Sequence, residues 1–469
     1  MKGLFFYGTV IGYPLLNYRI MTIALLVYLV FLVVIAIRSA RRVKDIPGFF
    51  VARKGASAKA VAGSLVATIL GGSAVIGAVD SGARLGGAAS WFMLVGALGL
   101  VALIPFAGRA YDHGRYTLPD LVENLYGKGP RLVASLVIPI AWTGIVAAQI
   151  IAAAKLLMTF VPLGYTTSAV ISAAVFTGYT LAGGQHSILR TDFLQACLII
   201  LGLAVIAAFA IYVGGPEGGL LSISDTLRGA PAFPFNANFT PFDLFLLILT
   251  YGTTYTAGPD IFSRMFCAKD AATAKKSVAI AAAVLVPVAF VIGFLAVYGV
   301  SLDGAQGARI TAIADNVLPP VLIPLIALAL LSVVLSSADT TLLSSSVILY
   351  RMTQRGRDGN LCGIRITILL NGIVALLLAL VFTDIIGTLL LALAVYAGAF
   401  TVPVLWGLLG LKAKPKFVAA AIVVGGALAL AGKLCPALPG ALGAHTGDIL
   451  MVAAFVVNAI ILAIGRVSK

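Results

Sequence analysis

Charged side chains are scarce in this chain of 469 residues. Only 10% of the residues are Asp, Glu, Lys or Arg, whereas 61% are hydrophobic and the mean hydropathy is +1.08. A soluble domain of this length needs a much larger charged and polar surface. The scarcity of charge therefore excludes a soluble protein. Because roughly 20 apolar residues form a membrane-spanning helix, the composition predicts an all-α polytopic membrane protein.

Histidine and cysteine are also rare, at three and four residues. With so few histidines and with dispersed acids, no nucleophile–base pair or metal-ligand set is visible, and an enzyme is not expected. The cysteines lack metal-ligand spacing, and three of them fall in predicted spans or on the cytoplasmic side, so no disulfide framework is implied. The first apolar run lacks a signal-peptide cleavage site and is interpreted as a retained helix. The cysteines are Cys197, Cys267, Cys362 and Cys435.

The charge that is present sums to +15, a value that would suit nucleic acid binding. Most of the Lys and Arg residues, however, lie between predicted spans on one side of the membrane, as the positive-inside rule requires. This pattern argues against nucleic acid as a partner. It predicts thirteen crossings, an N-terminus outside and a cytoplasmic C-terminus, and we expect a bacterial inner membrane. The predicted spans are 20–38, 58–82, 88–107, 132–160, 166–183, one ending near 213, 241–264, 277–300, 319–350, 366–383, 386–411, 417–433 and 448–465.

Two predicted spans contain helix-breaking residues. The second span carries Gly71-Gly72 in its middle, and the seventh carries Gly252 and Gly258-Pro259. Broken helices in corresponding halves of a transporter offer backbone carbonyls and amides to a substrate near the bilayer midplane. The alternative is that these glycines only allow two helices to pack closely. Because the two spans are five helices apart, the second set of helices would be inverted relative to the first.

The ninth predicted span has eight hydroxyl residues within fifteen positions. Ser332, Ser336, Asp339 and Thr340 share one helical face. Hydroxyl, carbonyl and carboxylate oxygens suit a hard cation such as Na⁺, whereas the alternative is that each hydroxyl bonds the carbonyl four residues earlier. A carboxylate inside a membrane helix must be paired, protonated or bound to a cation.

Four further polar residues lie within or near the spans. Asp192 is a second candidate for a cation ligand, or a carboxylate at a helix start. Gln149 would line a pocket or bond a neighbouring helix. Asp260 and Arg264 lie near a span end and are interpreted as interface or gate charges.

Three motifs together resemble the sodium:solute symporter family. They are the run YTLAGGQHSILRTDFLQ, the run GPDIFSRMFCAKDAATAKKS and the serine-rich ninth span. The resemblance covers essentially the whole chain and implies the LeuT-type fold, a 5+5 inverted repeat. The implied organisation is an N-terminal leader with an extra helix (1–57), a first repeat (58–213), an outer loop (214–240), a second repeat (241–411) and two C-terminal helices (412–469).

The resemblance also implies cation sites. The principal sodium site would use carbonyls of Ala67, Leu70 and Val333 with the hydroxyls of Ser336 and Ser337. Some members have a second cation site, whose positions are here Asp192, Asp339 and Thr340. Members usually carry a neutral residue where this chain has Asp339, so a proton, a second Na⁺ or a shared proton is implied there.

The resemblance implies a substrate site that matches neither the proline-type nor the sugar-type members of the family. Ile69 stands where proline-type members carry an acid, and the region of Ala394 lacks the polar side chains of sugar-type members. A small zwitterion or carboxylate is therefore expected. The expected substrate residues are Thr68, Gly71, Gly72, Gln149, Tyr251, Thr254, Tyr255, Pro259 and Tyr396.

These observations predict a sodium-coupled symporter for a small organic solute, acting as a monomer in lipid with Na⁺ as coupling ion and no organic cofactor. Proton coupling, alone or with Na⁺, is the alternative within the same fold. A solute sensor and an uncoupled channel are rivals from other classes. The absence of an appended soluble domain weighs against the sensor.

Overall fold

The computed structural model describes residues 15–41, 43–161, 163–213, 232–301, 309–354, 359–382, 385–434 and 446–467. Most of the predicted leader, Cys435 and residues 214–231 of the predicted outer loop lie outside these ranges. Within them the chain is helical and contains no β-strand, only isolated bridges.

The first half of the described chain contains nine α-helices. A π-helix at Ser73–Gly77 and short 3₁₀ helices at Ala52–Lys54 and Gly86–Ser90 lie between them. The α-helices are α1 (Leu15–Ala40), α2 (Ile46–Val51), α3 (Ala58–Ile69), α4 (Ala78–Asp80), α5 (Gly82–Leu85), α6 (Trp91–His113), α7 (Leu118–Tyr126), α8 (Lys128–Phe160) and α9 (Tyr165–Val213).

The second half of the described chain contains ten α-helices. A π-helix at Ile248–Gly252 and 3₁₀ helices at Gly299–Ser301 and Pro320–Leu322 accompany them. The α-helices are α10 (Pro241–Leu247), α11 (Thr253–Ala257), α12 (Pro259–Met265), α13 (Ala271–Tyr298), α14 (Arg309–Val317), α15 (Ile323–Thr353), α16 (Leu361–Val381), α17 (Ile385–Leu408), α18 (Pro415–Leu434) and α19 (Thr446–Ile464).

Ten helices in the described ranges are long and apolar enough to cross a membrane, or eleven if one bent pair forms a single span. The 49-residue α9 is counted once among them. It would be about 74 Å long if straight, more than twice the thickness of a hydrocarbon core. Gly184 breaks it with φ 53° and ψ −148°, a conformation that favours glycine. The predicted number of thirteen crossings remains a prediction.

The predicted break in the second span is confirmed. Helix α3 ends at Ile69, and Leu70 has φ −74° and ψ 53°, outside the helical region. The chain resumes as the π-helix and α4, at an angle of 57° to α3. A double glycine disfavours a continuous helix by roughly 1 kcal/mol per residue, which accounts for the break at Gly71-Gly72.

The predicted break in the seventh span is confirmed at Gly258-Pro259, whereas Gly252 has helical angles, φ −62° and ψ −44°, and does not break the span. The segment from residue 241 to 265 is divided into α10, a π-helix, α11 and α12. Gly258 is extended, with φ −72° and ψ 137°, and Pro259 begins α12 at the first helical position. Proline is tolerated there because its missing N–H has no partner in a first turn.

The helices around these two breaks form the centre of the molecule. Helix α15 packs along α8 and α9 and also contacts α3, while α13 packs along α6. Every residue from Val333 to Val347 in α15 is buried. The serine-rich face predicted from the sequence is therefore enclosed by protein, beside the broken end of α3.

Candidate functional site

Two serines of α15 cap the broken end of α3. Ser336 Oγ donates to the Ala67 carbonyl at 2.9 Å and lies 3.3 Å from the Val333 carbonyl, and Ser337 Oγ donates to the Thr68 carbonyl at 2.9 Å. The last carbonyls of a helix have no amide partner within the helix. The break thus leaves carbonyl groups without amide partners, and hydroxyl groups of α15 donate to them.

The other hydroxyls of α15 behave differently. Ser332, Thr340, Thr341 and Ser345 each lie within 2.9 Å of the carbonyl four residues earlier in their own helix. The local alternative raised by the sequence therefore describes these four residues. Ser336 and Ser337 are distinguished because their hydroxyls donate to backbone carbonyls of another helix, α3.

The oxygens at the end of α3 fit a small hard cation. Ala67, Val333, Ser336 and Ser337 are buried, and a helix C-terminus carries a partial negative charge that favours a cation. Leu70, directly after the last residue of α3, is also buried. The five predicted sodium ligands are thus contributed by two neighbouring elements, with neutral oxygens of the kind that Na⁺ accepts.

A fully buried arginine joins four segments below this cap. Arg264 on α12 donates from Nε to Ser64 Oγ at 3.2 Å and from Nη1 to Gln185 Oε1 at 3.1 Å. Its Nη2 forms an ion pair with Asp192 at 3.5 Å and donates to Thr340 Oγ1. Ser64 Oγ in turn donates to Asp192. Arg264 is fully buried, so it is not an interface charge, and its alternative interpretation as a gate charge stays a prediction.

Asp339, the second acid of this region, has fewer hydrogen-bond partners than Asp192. Thr340 Oγ1 lies 2.6 Å from the Ser336 carbonyl and 3.3 Å from Asp339 Oδ1, and its single proton can serve only one of them. In the described part of the chain, Asp339 Oδ2 and Asp192 Oδ1 are buried without a hydrogen-bond partner. Of the two buried carboxyl groups, Asp192 is paired with the guanidinium of Arg264, so the charge of Asp339 is left for a proton or a cation.

The first helix also reaches this region. The Tyr28 hydroxyl of α1 lies 2.7 Å from Ser332 Oγ and accepts from Gln195 Nε2 at 3.1 Å. It therefore bridges α9 and α15 next to the two acids. The extra helix predicted before the first repeat is thus in direct contact with the polar centre.

A cavity of about 40 Å³ lies beside the α3 break. This volume has room for roughly three water molecules. It includes six of the predicted substrate residues, Thr68, Gly71, Gln149, Tyr251, Thr254 and Tyr255. The remaining lining residues are Ile69, Trp142, Ile145, Asp260, Ser337, Thr341, Leu389 and Leu393.

Three predicted substrate residues do not line this cavity. Gly72 packs against α8, where an added Cβ would lie 3.2 Å from Ala152 Cβ. Pro259 lines a separate small cavity. Tyr396 is fully buried and donates to the Ala257 carbonyl, with its ring edge-to-face against Trp142 at 4.4 Å. Tyr396 therefore packs against Trp142, which lines the cavity, and does not line the cavity itself.

Sequence reasoning missed Asp260, Trp142 and Tyr28 as residues of this centre. Asp260 and Trp142 line the cavity, and Tyr28 contacts α9 and α15. An acid directly after Gly258-Pro259 could have been placed at the helix break, since that break was predicted. Nothing in the sequence indicated which way Trp142 and Tyr28 face.

Known proteins support the same architecture. The family model described as the sodium:solute symporter family matches residues 49–416. The structure of a sodium-coupled sialic acid symporter in a substrate-bound outward-open state superimposes with a TM-score of 0.76 at 17% identity, covering 97% of this chain and 100% of that one. Another similar structure is MHP1, a nucleobase-cation-symport-1 family transporter, with a TM-score of 0.59 at 15% identity, covering 88% and 94%. These likenesses show a LeuT-type fold.

Curated relatives have diverse substrates in their names. A sodium/proline symporter of Haemophilus influenzae is 25% identical over 47% of this chain and 44% of its own length. The human high affinity choline transporter 1 is 26% identical over 60% and 52%, and a sodium/pantothenate symporter of Haemophilus influenzae is 26% identical over 55% and 54%. The chain thus matches about half the length of these relatives.

The family match spans most of the chain, and these relatives are membrane transporters rather than enzymes. The prediction of an integral membrane protein is confirmed. The chain belongs to the sodium:solute symporter family.

Proposed function

We propose that this protein is a sodium-coupled symporter that imports a small organic solute by alternating access. The observation that carries the proposal is the contact of Ser336 and Ser337 with the carbonyls at the broken end of α3. The names of the relatives, which pair sodium with a solute, support the same activity. An amino acid or a small carboxylate is the solute class that we favour.

Sodium would bind between α3 and α15 through the oxygens of Ala67, Leu70, Val333, Ser336 and Ser337. This binding would tie the two helices together and stabilise an outward-open state. A solute then fills the neighbouring cavity, which must widen to receive more than a few atoms. Since both ligands favour the same arrangement of α3 and α15, each must raise the affinity for the other by one shared factor.

The experiment that tests this function is uptake into sealed vesicles that contain the purified protein. A solute that accumulates above its external concentration, only while an inward sodium gradient persists, establishes a symporter. Downhill equilibration alone would indicate a channel or facilitator. Binding without any movement of solute would indicate a sensor.

A second cation is the further part of the proposal. Asp192, Asp339 and Thr340 would form its site, and the unpartnered oxygens of the two acids support it. Because Arg264 already neutralises one acid and contacts Thr340, the remaining charge is best matched by a single proton or monovalent cation on Asp339. Proton coupling together with sodium is therefore the second candidate function.

Asp339→Asn is predicted to change the coupling without abolishing sodium dependence. The substitution removes the unbalanced carboxyl group but keeps its size, so the charge moved per solute should fall by one. The measurement is the ratio of net charge to solute flux in vesicles, repeated across pH. Asp243→Asn, an exposed helix-capping position, is the control. An unchanged ratio and pH profile would remove Asp339 from the coupling mechanism.

Gly71→Ala is predicted to weaken sodium dependence through Ser337. An added Cβ would lie 2.7 Å from Ser337 Oγ, which is too close, so the serine must turn away from the Thr68 carbonyl. We expect the sodium concentration for half-maximal uptake to rise roughly threefold to tenfold, the equivalent of one weakened hydrogen bond. Gly178→Ala on α9 is the control, because its Cβ would meet nothing within 4 Å. Equal sodium dependence in the two variants would contradict the prediction.

The proposal also includes the membrane location, the oligomeric state, the orientation and the cofactors of the protein. The protein would lie in a bacterial inner membrane as a monomer, in contact with lipid, with its N-terminus outside and its C-terminus in the cytoplasm. Sodium would be a co-substrate, and no organic cofactor would take part. Cysteine labelling from either side of sealed vesicles, at positions near the two termini, would test the orientation.

A further inference from the structure

Among the described residues that line the cavity, Asp260 is the one acidic residue. It is the second residue of α12, directly after the break at Gly258, and its Oδ1 accepts from the Ile261 amide at 3.1 Å. Arg264, four residues further along the same helix, pairs with Asp192. The carboxyl group of Asp260 therefore lies at the solute cavity while the nearby guanidinium is engaged elsewhere.

Aromatic rings form much of the rest of the cavity wall. Trp142 lies on α8, and Tyr251 and Tyr255 come from the broken seventh span, with their rings edge-to-face at 5.1 Å. The faces of aromatic rings attract a cation, tryptophan most strongly. A carboxylate together with three such rings is a setting that suits an organic ammonium group.

The same lining is unfavourable for a bare anion. Among the described residues that line the cavity there is no Lys, Arg or His. An anionic solute would face Asp260 without a side-chain cation to balance it. A solute that carries a positive charge would instead balance Asp260.

Two further polar groups of the cavity lack partners in the described chain. Gln149 Oε1 and Trp142 Nε1 are buried and make no hydrogen bond. Gln149 and Trp142 are only 3% and 1% exposed. Such groups cost free energy unless a ligand or water completes them. Trp142 Nε1 is a donor, so the missing partner includes an acceptor oxygen.

We propose that the solute is a small organic ammonium compound with an acceptor oxygen, held through its positive group by Asp260 and the rings of Trp142, Tyr251 and Tyr255. This inference rests on the proposed function and narrows its solute class. Amino acids belong to this class, because their ammonium group would pair with Asp260 and their carboxylate would accept from Trp142 Nε1. Carboxylates without an amine do not.

The test compares three probes of similar shape and different charge. They are choline, the neutral alcohol in which a quaternary carbon replaces the choline nitrogen, and the anion tert-butylacetate. Each is titrated against purified protein in saturating Na⁺, and binding is measured as the rise in the midpoint of thermal unfolding. We expect a saturable rise with choline and no comparable rise with the other two.

Asp260→Asn should weaken the apparent affinity for choline by roughly tenfold to hundredfold, the loss of one charge-assisted contact. Asp260→Glu, which keeps the charge, should retain part of the affinity. Asp270→Asn is the matched control, because Asp270 is an N-cap outside the cavity and asparagine caps equally well. Its affinity should equal that of the wild type.

Three results would overturn the proposal: stabilisation by the neutral or anionic probe equal to that by choline, no stabilisation of the wild type by choline, or full affinity in Asp260→Asn. Titrating Na⁺ and, separately, K⁺ in the same thermal-unfolding assay without a probe tests the proposed function on its own. If Na⁺ stabilises the wild type while choline does not, the ammonium proposal fails and sodium coupling stands. If Na⁺ itself has no effect, the proposed function fails.

Discussion

Arg264→Gln is expected to destabilise the folded protein by about 3–5 kcal/mol, the usual cost of removing one partner from a buried ion pair. The guanidinium is fully buried and contacts Ser64, Gln185, Asp192 and Thr340. Without it, two buried carboxyl groups have no positive neighbour within this cluster. The midpoint of thermal unfolding in detergent measures the effect.

A double variant separates the charge effect from the loss of packing. Adding Asp192→Asn removes the stranded carboxylate, so Arg264→Gln/Asp192→Asn should recover a large part of the loss. Arg53→Gln is the control, because its ion pair with Asp45 is exposed on both sides and such pairs contribute about 0–1 kcal/mol. The bridging role of Arg264 would be refuted if Arg264→Gln is as stable as Arg53→Gln. It would also be refuted if the double variant is no more stable than Arg264→Gln.

Ser336→Ala is expected to raise the sodium concentration for half-maximal uptake by roughly fivefold to hundredfold, and Ser337→Ala by a similar factor. Each substitution removes one hydroxyl group that we propose as a sodium ligand and leaves a carbonyl at the end of α3 without its cap. The loss of one such interaction is worth about 1–3 kcal/mol. Sodium titration of solute uptake in vesicles gives the values directly.

The control for these variants is Ser277→Ala on α13. Ser277 is equally buried, but its hydroxyl donates to the Thr273 carbonyl of its own helix at 2.6 Å. Its loss should leave sodium dependence unaltered. If Ser336→Ala and Ser337→Ala destabilise the protein yet keep the wild-type sodium dependence, the two serines are caps of α3 and not ligands.

The architecture was predictable because its determinants are local. Apolar runs of spanning length, basic residues between them and helix breakers at Gly71-Gly72 and Gly258-Pro259 act within a few residues of their position. The breaks therefore appear in the structure where the sequence places them. The count of crossings is harder, since α9 runs from residue 165 to 213 with its break at Gly184, and the seventh span consists of short pieces.

The contents of the centre were less predictable because they depend on contacts between distant parts of the chain. The serine-rich face of α15 indicated a polar site, but not that Ser336 and Ser337 would donate to the carbonyls of α3. Arg264 was interpreted as an interface or gate charge because it lies near the end of a span. Its pairing with Asp192, 72 positions away, depends on how α9 and α12 pack.

Tyr396 illustrates the same limit within one cavity. Its aromatic character made it a candidate for solute contact, yet its hydroxyl bonds the Ala257 carbonyl and its ring supports Trp142. Asp260, two residues after Gly258, lines the cavity instead. The direction in which a side chain leaves a broken helix depends on the geometry of the break, which sequence spacing does not specify.

The central claim is that sodium binds where α15 meets the broken end of α3. Thermal unfolding of the purified protein, titrated with Na⁺ and separately with K⁺ at constant ionic strength, tests it most directly. The account predicts a saturable rise in the unfolding midpoint with Na⁺ that is absent with K⁺ and absent in the Ser336→Ala/Ser337→Ala variant. Equal effects of the two ions on the wild type, or an undiminished sodium effect in the double variant, would contradict it.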